Sequence, residues 1–168
     1  MKIVTSRLLL RTVTLNDFKA SHQLLSDPDV MRFSLKGPYS EQQTTDFIKH
    51  CIQQTQKNQP TLLAVIDRET DLLIGYCGFY MQKINGVEEV ELGYRLSKEH
   101  WGKGLATEAA QAVKVHAFKK MGLTRLISII EKENVASIRV AEKNGFILER
   151  EMLYNKKIRV QIYALTKE

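Results

Sequence analysis

The spacing of hydrophobic positions changes period several times along the chain, and each change marks an element. "RLLLRTV" (7–13) is a continuous apolar run held between arginines and reads as a strand. Thr14, with Asp17 three residues on, opens a helix that runs to about Ser26, where "SDPDV" stops it. Ser40 and Gln43 form a second capping box, followed by Phe47, Ile48, Cys51 and Ile52 at helical spacing through about Lys57. "TLLAVID" (61–67) and "LLIGYCGFY" (72–80) flank "RETD" as a hairpin, and the Asn-Gly of "INGV" turns into a longer strand, 87–97.

Beyond "HWGKGLATEA" (100–109), Ala106, Ala109, Ala110, Val113, Ala117 and Met121 line one helix face, with Lys119 and Lys120 in the last turn and Gly122 as the stop. "RLISII" (125–130) is a buried strand, "NVASIRVAEKNGF" a short helix ending at Gly145, and two further strands pair around "YNKK" (154–157). Strand, helix and strand over 87–130 put two parallel neighbours into one sheet. With no repeat or linker, the pattern predicts one α/β domain, 1–168, with a mixed sheet.

Composition narrows the chemistry. At 43% hydrophobic and 26% charged residues the chain has a globular balance, and no apolar run reaches the ~18 residues of a membrane span. Its opening residues lack a small-residue cleavage site and read as a first strand, not a secretion signal. Cys51 and Cys77 sit in apolar patterns as reduced core residues, so a cytoplasmic setting is expected. Cys77 has no histidine neighbour that would make it a nucleophile. His22, His50, His100 and His116 lack ligand spacing, and no metal is expected. The net charge of +6 favours an anionic ligand. The basic residues form no block interleaved with aromatics, so direct nucleic-acid binding is not expected; a phosphorylated small molecule and a merely solvated surface stay open.

The loop before the third long helix supplies a place for such an anion. The first amides of a helix lack partners and carry about half a positive charge. Gly102 and Gly104 let a phosphate approach the backbone, while Lys98 and Lys103 add charge. The spacing fits neither a Walker loop nor a dinucleotide fingerprint.

"ELGYRLSKEHWGKGLATEA" resembles the acetyl-CoA motif of the GNAT superfamily of N-acetyltransferases, Arg/Gln-x-x-Gly-x-Gly/Ala, with Trp101 at the Arg/Gln position, then Gly104 and Ala106. "TSRLLLRTVTLNDF", "SDPDVMRF", "LIGYCGF" and "ENVASIRVAEKNGF" are similar, in the same order, to segments of the RimJ/RimL branch of ribosomal-protein N-terminal acetyltransferases. The resemblance covers Thr5 to Phe146. It implies a GNAT fold: a mostly antiparallel sheet of about six or seven strands, a splayed parallel pair and about four flanking helices. It also implies that the amides of residues 102–107, from Gly102 and Lys103 through Gly104, Leu105 and Ala106 to Thr107, hold the pyrophosphate of acetyl-CoA, with Ser97 and Trp101 beside them. The pantetheine arm would lie in the splay, and the Leu96 N–H would meet the thioester oxygen.

Strand alternation puts Val90, Leu92, Tyr94 and Leu96 on one face and Glu89, Glu91, Gly93 and Arg95 on the other. Amine attack needs a proton acceptor, and Glu91 is the candidate base; a solvated face with Glu91 paired to Arg95 or a neighbour is the other reading. By resemblance Asn134 bonds the pantetheine, although it is also a good N-cap, and Ser137 lies near the sulfur to hold a water or the thiol. Many members place a tyrosine acid where this chain has Ala141, and the branch commonly has an acidic residue where Val160 stands. Arg139 and Lys143, four apart, could reach the ribose phosphate or simply face solvent. Phe33 and Tyr39, in "RFSLKGPYS" (32–40), are the candidate acceptor wall.

These readings converge on direct acetyl transfer to a primary amine in a ternary complex. The acceptor is a protein N-terminus, with a ribosomal protein among the candidates, or a small amine. A non-catalytic acyl-CoA sensor or RNA-associated module is the rival class. A monomer or a homodimer is expected.

Overall fold

The computed structural model describes residues 1–168. The chain runs β1 (Lys2–Val4), β2 (Leu8–Arg11), a 3-10 turn (Leu15–Asp17), α1 (Phe18–Leu25), α2 (Glu41–Gln56), β3 (Leu62–Asp67), β4 (Leu73–Ile84), β5 (Val87–Leu96), a second 3-10 turn (Lys98–His100), α3 (Leu105–Lys119), β6 (Arg125–Ile130), α4 (Val135–Lys143), β7 (Ile147–Tyr154) and β8 (Ile158–Thr166). One eight-stranded sheet has the order β1-β2-β3-β4-β5-β6-β8-β7, against the six or seven strands expected. The additional strand arises because Thr5 turns the chain: its N–H donates to Leu8 O and its hydroxyl accepts from Leu8 N–H, each at 2.9 Å. β1 therefore folds back on β2 instead of continuing it.

The first helix also differs in detail. The Asp17 carboxylate accepts the Thr14 N–H at 2.8 Å and pairs with Arg11 at 2.8 Å, so the entry is a 3-10 turn that hands over to α1. α2 opens on the expected box, with Gln43 N–H donating to Ser40 Oγ at 3.1 Å and Ser40 N–H to Gln43 Oε1 at 2.8 Å.

α3 and α4 cover one face of the sheet and α1 and α2 the other. β3 is buried on both sides: Leu63 and Val65 meet the α3 core, while Leu62, Ala64 and Ile66 meet α2. This explains its unbroken apolar run. Ala109, Ala110 and Ala117 let α3 lie close to the strands, and fully burying Val113 between them contributes about 1.5–3 kcal/mol.

Every strand pair is antiparallel except β5 with β6. β5 meets β4 through ten residue pairs, from Gly75↔Leu96 to Ile84↔Val87, yet meets β6 through one, Glu91↔Ile127. The Ser128 hydroxyl donates to Leu92 O at 2.8 Å, where the next rung of that ladder would fall. Beyond it the two strands part.

Candidate active site

A cavity of about 970 Å³ opens where β5 and β6 diverge and continues past the α3 N-terminus on one side and the segment after α1 on the other. Its backbone is set by β5. Ser97 N–H donates to Ile74 O, which makes Leu96 and Gly75 a non-hydrogen-bonded pair. The N–H and C=O groups of Leu96, and two residues earlier of Tyr94, accordingly point away from β4 and toward the gap. The Leu96 carbonyl is already engaged, because the Trp101 indole N–H donates to it at 2.8 Å. Its N–H remains.

At one end of the cavity Gly102 and Gly104 take left-handed φ of +73° and +76°, a conformation that side chains disfavour. Gly104 is the N-cap of α3, and no side chain caps the helix amides that follow. Leu105, Ala106 and Thr107 join both glycines in the cavity wall. The loop is strapped to the β1–β2 turn. Glu108 accepts hydrogen bonds from the Thr5 hydroxyl (2.6 Å) and the Arg7 N–H (3.0 Å) and pairs with the Arg7 guanidinium at 2.7 Å, while Arg7 Nη1 donates to Lys103 O at 2.8 Å. Burial acts to raise the Glu108 carboxyl, but these Thr5 and Arg7 contacts prevail and hold it below its ordinary value. The structure thus shows a physical use for the "TSR" segment.

Two expected contacts fall outside this wall. The Ser97 hydroxyl turns to His100 Nδ1 at 2.6 Å, and Lys103 contributes its carbonyl to Arg7 instead of facing the cavity. Arg139 and Lys143 lie along the rim, exposed. Asn134 lines the cavity and also caps α4, its Oδ1 accepting the Ser137 N–H at 3.3 Å. The Ser137 carbonyl accepts the Tyr94 hydroxyl at 3.1 Å. Ala141 is buried in the α3 core.

Glu91 stands at the vertex of the splay, half-buried. Burial pushes its carboxyl up to about 7, against hydrogen bonds from Gln82 and the Ile129 backbone that pull it down. The Gln82 carboxamide donates to Glu91 Oε2 at 2.7 Å, and its own carbonyl accepts the Tyr154 hydroxyl at 3.1 Å. Glu91 forms no ion pair with Arg95. Phe33 and Tyr39 do line this side, together with Tyr80, Arg95 and Val160. Gln82, Tyr154 and Tyr80 carried no local signal in the sequence: their roles depend on cross-strand neighbours. Cys77 is fully buried, and burial raises its thiol above the ordinary range. No group of three or more metal-ligating side chains converges, and no helix is long and apolar enough to cross a membrane.

A strand gap that ends in free helix amides on one side and a carboxylate on the other suits a chain-like acyl thioester meeting an amine. Residues 7–147 match the acetyltransferase (GNAT) domain, and the chain belongs to that family. It is an acetyl-CoA-dependent acyltransferase. An uncharacterized N-acetyltransferase, p20, of Bacillus licheniformis is 33% identical over 98% of this chain and 96% of its own. Spermidine N(1)-acetyltransferase of Escherichia coli (strain K12) is 30% identical over 86% of this chain and 75% of its own. Among solved structures, RimL, a ribosomal L7/L12 alpha-N-protein acetyltransferase in complex with coenzyme A, superposes with a TM-score of 0.84 at 25% identity, covering 99% of this chain and 98% of that one.

Proposed function

We propose that the enzyme acetylates the α-amine at a protein N-terminus, with ribosomal proteins as the leading class, by direct transfer within a ternary complex in the cytoplasm. The observation that carries this reading is the position of Glu91, a half-buried carboxylate in the cavity wall at the vertex of the gap, where burial pushes its carboxyl up to about 7. At that value it is ionised often enough near neutrality to accept a proton and basic enough to hold one.

In this reading the pyrophosphate rests on the amides from Gly102 to Thr107, and the ribose phosphate reaches Arg139 and Lys143. Pantetheine pairs with the gap-facing groups of Tyr94 and Leu96 and with the Asn134 side chain. The Leu96 N–H donates to the thioester oxygen as charge develops there, a contribution of about 3 kcal/mol for one such donor. The amine nitrogen bonds to the thioester carbon, its surplus proton passes to Glu91 directly or through one water, and the carbon–sulfur bond breaks. Water held at the Ser137 hydroxyl protonates the departing thiolate. Trp101 packs against the Leu96 carbonyl and fixes the loop.

The likeness to RimL supports a protein N-terminus. The spermidine N(1)-acetyltransferase relative supports a small amine as the second reading. Release of free thiol from acetyl-CoA with a panel of N-terminal peptides and polyamines tests both. Acetylated peptide α-amine, seen by mass spectrometry, is the expected product; tight coenzyme A binding with no turnover on any acceptor would instead identify a sensor.

A further inference from the structure

Arg95 has no carboxylate in ion-pair contact: it attracts the Glu91 carboxylate only from a distance and meets the Tyr80 hydroxyl. It is half-buried on the Glu91 face of β5, yet belongs to none of the ion pairs of the chain. Its Nη1 instead lies 2.9 Å from Sδ of Met31, a buried thioether and a weak acceptor. A guanidinium has five donors, and withdrawing it from water without an anion is unfavourable. The carboxylates near it are committed elsewhere: Asp29 pairs with Lys98 at 2.6 Å, and Glu91 holds Gln82 at 2.7 Å. Arg32 and Lys36, on the facing segment of the same cavity, also lack ion pairs. The acceptor side therefore carries Glu91 at the splay and, further along, three cations without ion pairs: Arg95, half-buried, and Arg32 and Lys36, exposed.

Gly93, between Glu91 and Arg95, leaves room for the Tyr80 ring: a Cβ there would stand 2.7 Å from Tyr80 Cε2. Tyr80 thus floors the space between carboxylate and guanidinium. Four strand residues put the Glu91 and Arg95 Cα atoms about 13 Å apart. Two or three extended residues of an acceptor bridge that distance once both side chains reach inward.

We infer that Arg95 is an anion subsite of the acceptor channel, binding a carboxylate carried two or three residues from the amine that is acetylated. This inference rests on the acetyl-transfer reading and names its acceptor class: amine-terminal peptides with a nearby carboxylate, either an acidic side chain or a short peptide's own terminus. Polyamines, which would direct a second cation at Arg95, are excluded from the class.

The experiment compares kcat/KM for a panel of equal-length, C-terminally amidated peptides with Glu, Gln or Lys at the second or third position, unamidated di- and tripeptides, and spermidine. Wild type should favour Glu over Gln by roughly tenfold or more, chiefly through KM, as expected for one charge-assisted hydrogen bond. Arg95→Gln should bring that ratio to about one, and Arg95→Glu should turn it toward Lys. Preference confined to the unamidated peptides assigns the subsite to a terminal carboxylate; preference confined to Glu peptides assigns it to a side chain. Calorimetric coenzyme A binding reports that each variant is folded. A wild-type ratio near one together with no preference for the unamidated peptides, a preference that survives in Arg95→Gln, or spermidine outrunning every carboxylate-bearing peptide overturns the subsite alone. Coenzyme A binding with no turnover of any acceptor overturns the acetyl-transfer reading, and the subsite with it.

Discussion

The Gln82 carboxamide donates to Glu91 Oε2 across 2.7 Å from the neighbouring strand, and the Tyr154 hydroxyl fixes its orientation from the other side at 3.1 Å. Two opposing influences therefore meet on one carboxyl: burial raises it and the amide donor restrains the rise. In wild type, kcat/KM should climb with pH through about 7 as Glu91 ionises. Glu91→Gln should lower kcat by roughly a hundredfold or more and remove that limb, with coenzyme A affinity retained. Gln82→Ala should move the limb to higher pH, because a donor to the charged form is lost. A limb that stays in place in Glu91→Gln would show that another group titrates there.

The same carboxyl links stability to pH. Its folded-state value, about 7, lies above the ordinary carboxylate value, so the folded chain favours the protonated form. The stability this contributes is full below the ordinary value and is lost as pH rises through about 7. Glu91→Gln, neutral throughout, should raise Tm relative to wild type near pH 8 and leave it little changed near pH 4. Calorimetric melts at both pH values check the sign, and an equal shift at the two would remove Glu91 as the cause.

Arg7 should matter more for the cosubstrate than for the fold. Its ion pair with Glu108 lies at an exposed position, where such pairs contribute about 0–1 kcal/mol, so Arg7→Ala should lower Tm only slightly. The same change frees the Lys103 carbonyl and the Gly102–Gly104 loop, and coenzyme A should bind about tenfold more weakly. Isothermal calorimetry beside a thermal melt separates the two effects.

Ser128→Ala removes the hydroxyl that satisfies Leu92 O at the start of the gap. Leaving that buried carbonyl unpaired should cost about 1–3 kcal/mol. Urea denaturation measures it; an unchanged midpoint would mean that the carbonyl finds another donor.

Local grammar was legible wherever a few adjacent residues decide the outcome. Ser40 and Gln43 cap α2 as read, and Asn85-Gly86 closes the β4–β5 hairpin with both residues at positive φ. Strand alternation put Glu91 and Arg95 on one face correctly, and the glycine loop led to the helix amides. Contacts across the chain were not legible. Glu108 and Arg7 are 101 residues apart, and nothing in either neighbourhood points to the other. Gln82 and Tyr154 looked like ordinary strand residues, because a side chain that orients another leaves no periodic mark. Ser97 was expected at the ligand through its place in the motif, yet a histidine three residues on offers its hydroxyl a nearer partner. Arg95 was weighed only as one possible partner of Glu91, with an unnamed neighbour as the other, since sequence spacing cannot show that Gln82 fills that position.

A sheet whose fifth and sixth strands share one backbone pair behaves as two panels, five strands and three, hinged on a seam. α3 packs on the five-strand panel and shares one core with Leu126 and Ile130 of β6, so the panels are held by side-chain packing where neighbouring strands are held by ladders of amides. In the reading proposed above, a donor whose extended arm carries its own amides would fill the missing rungs and become, while bound, a piece of secondary structure. The protein would then be most completely folded only when loaded, and heat or a protease should find the empty molecule first along that hinge.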